Sequence, residues 1–499
     1  MSVFEAARAT PWRRSLLACG LGALTVAAFA PFQLFFLPLL TLAWLIRAWH
    51  RAANARAAGW LGFCFGLGLY LAGVSWVYIS LHQFGGMPMP LALAGTLGFC
   101  ALSALFPALA GWGYRRLRPL AEGAGAVVLA AACWTLVDWA REWVLTGFPW
   151  LALGYSQAPP SPLAGYAPLF GVFGLSFLLA LLAARLGLGS GWRGRWLPGG
   201  LVVLAVVAAG AGLRQVEWTQ PREGSVSVSL LQGNIEQSLK WRPDLLYLSL
   251  DTYLQLAREH PAQLVILPEA ALPMALQDVP PEYLAALRRT VAPGGGLLFG
   301  VVSYEADERY FNSAMLYTDD GAGRYDKSHL VPFGEFIPPA FGWVESVLQI
   351  PMSSFTRGAP AQAPLSVAGE RLAVNICYED VFGPEIARAL PGASILVNLS
   401  NTAWFGDSLA QPQHLQIAQL RALETGRPML RATNTGMTAV VAPNGEVSQR
   451  LPPFTAGVLR AQVRGYEGLT PFVRWGNWPV VALAGLILAV AAALRARKG

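Results

Sequence analysis

Charge is scarce in this sequence. Of its 499 residues, only 13% are Asp, Glu, Lys or Arg, whereas 54% are hydrophobic and eighteen are tryptophan. This balance is unusual for a soluble protein and typical of an integral membrane protein. The formal net charge is nevertheless +7. Because much of the positive charge lies in short arginine clusters beside apolar segments, membrane topology explains it, and we expect no nucleic-acid partner.

Cysteine is also scarce, and four of the five cysteines lie within apolar segments: Cys19, Cys64, Cys100 and Cys133. Cysteine in such segments is usually a small hydrophobic residue. Cys377 therefore has no obvious disulfide partner in its own domain, which favours a functional role for its thiol. His329 and His414 lack metal-ligand spacing and no glycine loop has a phosphate-binding context, so we predict neither a metal nor another cofactor.

Long apolar segments dominate both ends of the chain. A membrane helix needs about 20 apolar residues, and eight segments fit: 14–30, 32–48, 58–81, 89–112, 124–146, 163–185, 196–213 and 478–494. We therefore predict a polytopic α-helical bundle of eight transmembrane helices. Residues 1–214 would form a membrane domain of seven helices, and residues 476–499 would add the last helix and a short tail.

The positions of Lys and Arg predict the orientation of this bundle. Fifteen of them form five clusters of three, near residues 8–14, 47–56, 115–118, 185–195 and 495–498. The alternate loops near 31, 82–88 and 147–162 contain none. By the positive-inside rule, both termini are expected in the cytoplasm and the large domain on the other side. In a bacterium this is the periplasmic face of the inner (cytoplasmic) membrane.

Residues 215–475 have a different pattern, in which short apolar runs alternate with helical segments. The predicted strands are 226–232, 264–267, 297–303, 313–318, 372–376, 395–399 and 438–442. The predicted helices are 281–291, 384–390 and 412–425. Such alternation predicts an α/β domain with helices covering a layered sheet.

Three reactive side chains lie at or just beyond the ends of these runs. Cys377 directly follows the run 372–376, Glu269 follows the run 264–267, and Lys327 lies in a polar segment. Taken singly, Cys377 would be an ordinary buried cysteine and the other two would be surface or ion-pair residues. Together they predict a covalent acyl-transfer site, because an ammonium favours the thiolate and a carboxylate can take the thiol proton.

The residues around these three resemble the nitrilase (carbon–nitrogen hydrolase) superfamily. The blocks that carry the resemblance are Pro268-Glu269, the run from Lys327 to Glu335, and the run from Asn375 to Glu379. With eight membrane segments, the whole chain is similar to the apolipoprotein N-acyltransferase family. Further matching stretches are 233–241, 147–150, 401–407 and 421–424.

The resemblance implies an αββα sandwich for the large domain and a role for several residues. It implies Cys377 as nucleophile, Glu269 as general base and Lys327 as the cation that stabilises the oxyanion, with Glu335 as a supporting carboxylate. Tyr378, Glu379 and Trp241 would shape the acyl and amine pocket, and Asn312 and Trp404 would support the site or bind substrate.

The resemblance also implies a two-step reaction. Cys377 would take an acyl chain from a membrane phospholipid and then pass it to the α-amino group of the diacylglyceryl cysteine that begins an apolipoprotein. The product would be a mature triacylated lipoprotein. We expect the enzyme to act as a monomer.

Two further features allow more than one interpretation. The stretch 336–355 could be an apolar lid, with Phe341, Trp343, Val344 and Leu348 on it, or an ordinary packed insertion. Arg141 and Glu142 could mark a cavity or head-group contact, or a simple interfacial ion pair.

Two other functions also stay open from the residues alone. A membrane-tethered amidase would use the same three residues. A transporter with a regulatory domain is disfavoured, because acidic residues in the membrane segments are almost confined to Asp138 and Glu142 and no inverted repeat is evident.

Overall fold

The structure, a computed structural model, describes residues 11–118, 123–189, 196–240, 242, 244, 246–338 and 354–497. The chain divides into two compact units. The first comprises Met1–Tyr78, Pro88–Val216 and Arg474–Gly499, and the second comprises Ile79–Met87 and Glu217–Val473. We expected residues 79–87 in the membrane domain, whereas their contacts group them with the second unit.

The first unit is helical. Its long helices are Pro11–Thr25, Leu37–Arg51, Ala55–Gly73, Met89–Leu117, Ala124–Ala140, Ala167–Leu188, Trp196–Leu213 and Trp478–Ala496. Each of the eight predicted segments overlaps one of them. Among the described residues, four helices are long and apolar enough to span a membrane: Ala55–Gly73, Met89–Leu117, Pro162–Leu188 and Trp478–Ala496. Two shorter helices are also apolar, Ala124–Ala140 and Gly200–Leu213, so the count of eight spans stays a prediction.

Several predicted helix limits differ from the observed ones. The first two predicted segments met near residue 31, but the first helix ends at Thr25 and the second begins at Leu37. A short 3₁₀ helix (Val26–Ala28) and turns fill the gap. Pro31 accounts for the break, because proline has no backbone N–H to donate within a helix. The predicted helix 58–81 likewise ends early, at Gly73.

Glycines let helices of the first unit touch closely. A Cβ atom added to Gly68 would collide with the carbonyl oxygen of Cys19, and one added to Gly22 would collide with that of Phe65. The helices Pro11–Thr25 and Ala55–Gly73 therefore pack backbone against backbone, as small residues permit in membrane bundles.

The second unit contains two large β-sheets. One has the strand order β14-β2-β3-β5-β6-β7, with β4 paired to β5. Its strands are β2 (Val226–Gln232), β3 (Ala262–Ile266), β4 (Leu272–Ala275), β5 (Val291–Tyr304), β6 (Tyr310–Thr318), β7 (Gly321–Asp326) and β14 (Gly457–Val463). Strands β2, β3 and β5 are parallel to one another.

The other large sheet has the order β13-β12-β11-β10-β9-β8. Its strands are β8 (Leu365–Val367), β9 (Glu370–Ile376), β10 (Ile395–Ser400), β11 (Met429–Thr433), β12 (Ala439–Val441) and β13 (Val447–Arg450). Strands β9, β10 and β11 are parallel. The short strands β1 (Gln220–Pro221) and β15 (Tyr466–Glu467) form a separate antiparallel pair.

Three cores join these sheets into a four-layer sandwich. Alternate residues of β3, Leu264 and Ile266, face alternate residues of β10, Ile395 and Val397, in the core between the sheets. The outward residues of the first sheet pack on the helices Leu246–Glu259 and Pro281–Arg288. Those of the second pack on Gly383–Ala387 and Ala410–Thr425. The order helix, sheet, sheet, helix is the αββα arrangement.

All seven predicted strands exist, but the patterns missed some elements. Strand β11 was missed because buried Arg431 interrupts its apolar run, and β14 because its exposed Arg460 does the same. The helix Leu246–Glu259 was also missed, although its buried residues Leu250, Tyr253 and Ala257 follow helical spacing.

Candidate active site

The site lies where the parallel strands of both sheets end. Glu269 follows β3, Cys377 follows β9 and Asn401 follows β10, so their backbones reach the same edge of the sandwich. Lys327 follows β7. The carboxyl ends of parallel strands are a common location of ligand sites in α/β domains.

Glu269 is nearly enclosed, with 7% of its surface exposed. Its Oε1 accepts a hydrogen bond from Asn312 Nδ2 at 2.8 Å and a longer one from Lys327 Nζ at 3.4 Å. Its Oε2 accepts from the backbone N–H of Asn401 at 2.8 Å. Three elements from both sheets therefore fix the direction of this carboxylate.

Lys327 lies between two carboxylates. Its Nζ donates to Glu335 Oε1 at 2.8 Å, closer than to Glu269. Burial works to lower the pKa of Lys327, but Glu335 and then Glu269 outweigh it, so the pKa is raised above the ordinary lysine value. Lys327 is thus held as an ammonium ion at any physiological pH.

Asn312 and Glu335 complete a closed ring with Glu269 and Lys327. Asn312 Nδ2 donates to Glu335 Oε1 at 2.9 Å as well as to Glu269. Glu335 Oε2 accepts from the backbone N–H of Val331 at 2.8 Å. Two carboxylates, those of Glu269 and Glu335, thus share one ammonium and one amide within this ring.

Cys377 opens the 3₁₀ helix Cys377–Val381 directly after β9. Its φ angle is +54°, in the left-handed region that residues with a side chain seldom adopt. Such positions persist only where surrounding contacts enforce them, and they are frequent at active sites. The side chain is buried, with 7% of the residue exposed.

The electrostatic surroundings keep the Cys377 thiol protonated. Burial first, and the charge of Glu269 second, raise its pKa to about 12, against the lowering influence of Lys327 and of the Ser400 hydroxyl. Because the thiolate is the nucleophilic form, a nucleophilic role for this cysteine would require a base that takes its proton. Glu269 is the carboxylate whose charge acts most strongly on the thiol.

Glu379 and Tyr378 occupy different surroundings from the ring. Glu379 Oε1 accepts from the N–H groups of Ser328 and His329 at 2.7 and 3.0 Å, and Oε2 accepts from that of Ile376 at 2.7 Å. Burial raises the pKa of Glu379, and these backbone bonds oppose the rise. This carboxylate joins the segment after Lys327 to the residue before Cys377. Tyr378 packs edge-on against Phe382, 5.2 Å between ring centroids.

One buried residue of the site was not singled out from the sequence. Lys240 is 2% exposed and its Nζ donates to the backbone carbonyl of Glu269 at 3.2 Å. Burial lowers its pKa to about 8, against the raising influence of Glu269. A signal was available, since the chain of 499 residues has only three lysines, and two of them, Lys240 and Lys327, contact Glu269.

The remaining predicted residues lie apart from the ring or outside the described residues. Trp404 is 39% exposed in the turn after β10, where its carbonyl oxygen accepts from Ser80 Oγ and its ring packs edge-on against Phe84. Outside the described residues fall Trp241, Phe341, Trp343, Val344 and Leu348. The lid therefore stays a prediction. No group of three or more potential metal ligands occurs among the described residues.

Arg141 belongs to a buried pair within the first unit. Its Nη2 donates to Asp138 Oδ1 at 2.9 Å, and only 3% of the residue is exposed. Glu142 instead accepts a hydrogen bond from Asn477 Nδ2 at 3.0 Å. The interfacial ion pair of Arg141 with Glu142 was therefore the wrong interpretation, because the guanidinium turns inward to the carboxylate one helical turn earlier.

Comparison with known proteins gives two family matches. The family described as "Apolipoprotein N-acyltransferase N-terminal domain" matches residues 21–185, and the family described as "Carbon-nitrogen hydrolase" matches residues 227–470. An apolipoprotein N-acyltransferase of Nitrosomonas europaea is 47% identical, covering 97% of this chain and 98% of its own. One of Ralstonia nicotianae is 48% identical, covering 97% of this chain and 94% of its own.

Among solved structures, a mutant amidase of Nesterenkonia from the nitrilase superfamily is 20% identical, with a TM-score of 0.37, covering 51% of this chain and 95% of its own.

Proposed function

The chain belongs to the apolipoprotein N-acyltransferase family, and we propose that it transfers an acyl chain from a membrane phospholipid to the α-amino group of an apolipoprotein's N-terminal diacylglyceryl cysteine. The observation that supports this best is the ring of Glu269, Lys327, Glu335 and Asn312 beside a single buried thiol. Such a site can form and discharge an acyl-enzyme.

The first half-reaction forms a thioester on Cys377. Glu269 takes the proton of the thiol as Sγ attacks the ester carbonyl carbon of the phospholipid, which matches a thiol whose pKa is raised to about 12. Lys327 stabilises the negative oxygen of the tetrahedral intermediate. The carbon–oxygen bond to the glycerol then breaks, and the proton on Glu269 passes to the leaving oxygen, which releases a lysophospholipid.

The second half-reaction discharges the thioester to an amine. The neutral α-amino group attacks the thioester carbonyl carbon, and Glu269 takes a proton from the attacking nitrogen. The carbon–sulfur bond breaks, the same proton returns to Cys377 Sγ, and an amide and a free thiol result. Donor and acceptor visit one site in turn, which is a ping-pong mechanism.

The second carboxylate of the ring, Glu335, explains how Glu269 can serve both halves of the reaction. Lys327 is neutralised mainly by Glu335, its nearer partner at 2.8 Å, whereas Glu269 is 3.4 Å away. Glu269 can therefore gain and lose a proton while the ammonium keeps a partner. Glu335 and Asn312 act by positioning Lys327 and Glu269.

A decisive experiment incubates the purified protein in detergent with phospholipid labelled in its acyl chain. We expect an adduct on Cys377 that hydroxylamine removes, and its transfer to a diacylglyceryl-cysteine peptide with release of one free thiol per amide formed. An adduct that only hydrolyses, with no amide formed, would instead indicate a hydrolase of the amidase type. No adduct at all would contradict the proposed chemistry.

We also propose the membrane arrangement that this reaction needs. Residues 1–214 and 476–499 would form eight transmembrane helices of the bacterial inner membrane, with residues 215–475 in the periplasm, both termini in the cytoplasm and the enzyme a monomer. The five Lys/Arg clusters support this orientation. A reporter fused after Gly499 and another inserted at the exposed turn Asp319-Asp320 should report opposite sides, and two cytoplasmic signals would overturn the arrangement.

A further inference from the structure

A second set of buried charges, which the reaction above does not use, lies behind the nucleophile. Asp380, three residues after Cys377, is fully buried. His414 Nε2 lies 2.7 Å from its Oδ1, and Arg431 Nη1 donates to its Oδ2 at 2.9 Å. The same Nη1 donates to Asn398 Oδ1 at 2.8 Å.

Asn398 connects this network to the nucleophile itself. It stands on β10 beside Asn375 of β9, and its Nδ2 donates to Asn375 Oδ1 at 2.6 Å and to the backbone carbonyl of Cys377 at 3.1 Å. The carbonyl group that accepts the second bond belongs to Cys377 itself, the residue whose φ lies in the left-handed region. Glu379 binds the N–H of Ile376, on the other side of the residue.

The guanidinium of Arg431 determines which way the Asn398 amide faces. Arginine has hydrogen-bond donors and no acceptor, so only the amide oxygen can face it. The two N–H groups of the amide must then point at Asn375 and at the Cys377 carbonyl. Asp380 binds Arg431 through one carboxylate oxygen and contacts His414 through the other. All four side chains of the network are at most 1% exposed.

We propose that Asn398, oriented by Arg431, is a positioning residue that holds the Cys377 peptide in its left-handed conformation and so aims the thiol at the ring of Glu269 and Lys327. The proposal rests on Cys377 being the nucleophile of the proposed function.

Two substitutions at Asn398 test this proposal. Asn398→Asp keeps the side-chain size and an acceptor for Arg431, whereas Asn398→Ser introduces no charge. Both variants lack the N–H group that donates to the Cys377 carbonyl. For both we expect the limiting rate of acyl-enzyme formation to fall at least about tenfold, with the half-saturating phospholipid concentration unchanged.

The matched control is Asn375→Ser, which alters the partner of the other N–H group of the same amide. Its rate should stay within about threefold of wild type, since the bond to the Cys377 carbonyl remains. The pH profile of Cys377 alkylation separates geometry from charge: Asn398→Ser should keep the wild-type profile, because it leaves the charges around the thiol unchanged.

A wild-type rate in a folded Asn398→Asp or Asn398→Ser variant would overturn the proposal, as would an equal loss in Asn375→Ser. Should neither Asn398 variant fold, Arg431→Lys decides: it keeps the charge but not the fixed fork of donors, so we expect at least a threefold loss, and a wild-type rate overturns the proposal. Absence of any adduct on the wild-type protein would instead refute the proposed function.

Discussion

Each unit of the molecule buries a cluster of charged side chains, and the two clusters differ in how their charges balance. In the first unit, Asp138 and Arg141 form a one-to-one pair at 2.9 Å. In the second, one ammonium, Lys327, serves the two carboxylates Glu269 and Glu335. Both clusters are largely shielded from water, but in the second a single ammonium contacts two carboxylates and the charges act on the Cys377 thiol.

The partners of the two clusters differ as well. Asp138 Oδ2 accepts from Trp134 Nε1, from the backbone N–H of Leu153 and from Ser176 Oγ. Arg141 Nη1 donates to the backbone carbonyls of Phe148 and Trp150. These partners tie the loop after the helix Ala124–Ala140 to its neighbours. A one-to-one pair bonded mainly to backbone organises structure, whereas a ring with two carboxylates beside the proposed nucleophile offers a group that can exchange protons.

The largest effect on acyl-enzyme formation is expected for substitution of Cys377, the thiol beside the second cluster. Cys377→Ala should abolish acyl-enzyme formation completely while membrane insertion persists, because the described part of the second unit contains no other cysteine. Cys377→Ser should be nearly as poor, since a hydroxyl is far less acidic than a thiol. Intact-protein mass spectrometry after incubation with phospholipid measures the adduct, and an acyl group on the alanine variant would contradict the assignment.

Glu269→Gln should have opposite effects on two reactions of Cys377. Acylation should fall at least about 10²-fold, because the base is lost. The negative charge of Glu269 raises the thiol pKa, so its removal lowers that pKa, and the thiolate forms at lower pH. Alkylation by iodoacetamide, followed at Cys377 by peptide mass mapping between pH 7 and 10, should therefore become faster.

Lys327→Met should shift the pKa of the Cys377 thiol in the direction opposite to Glu269→Gln. Acylation should again fall at least about 10²-fold, because the oxyanion loses its cation. The ammonium lowers the thiol pKa, so its removal should raise it and make alkylation slower at every pH in that range. Alkylation that changes in the same direction in both variants would mean that these charges do not act on the thiol as proposed.

Asp138→Asn should affect stability and leave chemistry intact. Breaking a buried ion pair typically costs about 3–5 kcal/mol, so the apparent melting temperature in detergent should drop clearly. The acylation rate per folded molecule should match that of wild type, because Asp138 organises only its own unit. A loss of rate without a loss of stability would end the distinction between the two clusters.

The smallest effect is expected for Ser176→Ala in the same cluster. This change removes two hydrogen bonds of the hydroxyl and keeps the ion pair: the bond donated to Asp138 Oδ2 at 3.0 Å and the bond accepted from the backbone N–H of Gly154 at 2.9 Å. The free energy of unfolding should fall by about 1–3 kcal/mol, measured as a smaller shift of the same melting temperature. A shift as large as that of Asp138→Asn would mean that the hydroxyl, rather than the charge pair, secures the cluster.

Local patterns predicted much of this molecule, because they depend on residues that are close in sequence. Apolar length located the helices of the first unit, and short β-branched runs located strands such as β2, predicted at 226–232 and observed at Val226–Gln232. Glu269, Lys327 and Cys377 were predicted as reactive residues from their own surroundings in the chain, and the structure places Glu269 and Lys327 in contact. Hydrophobic patterns failed where a strand buries a polar side chain, as β11 does with Arg431. Such a residue cannot be distinguished by its sequence neighbours from a charged residue at the surface.

The sequence by itself determined the class of both units and allowed three reactive residues to be predicted, because hydrophobic length and strand ends are local properties. Only the tertiary structure decided the rest. It brought Glu269 and Lys327, 58 residues apart, to 3.4 Å, gave Cys377 its left-handed backbone, and grouped residues 79–87 with the second unit. These features depend on which strands pair and which layers face each other, and such choices are made by contacts between distant residues.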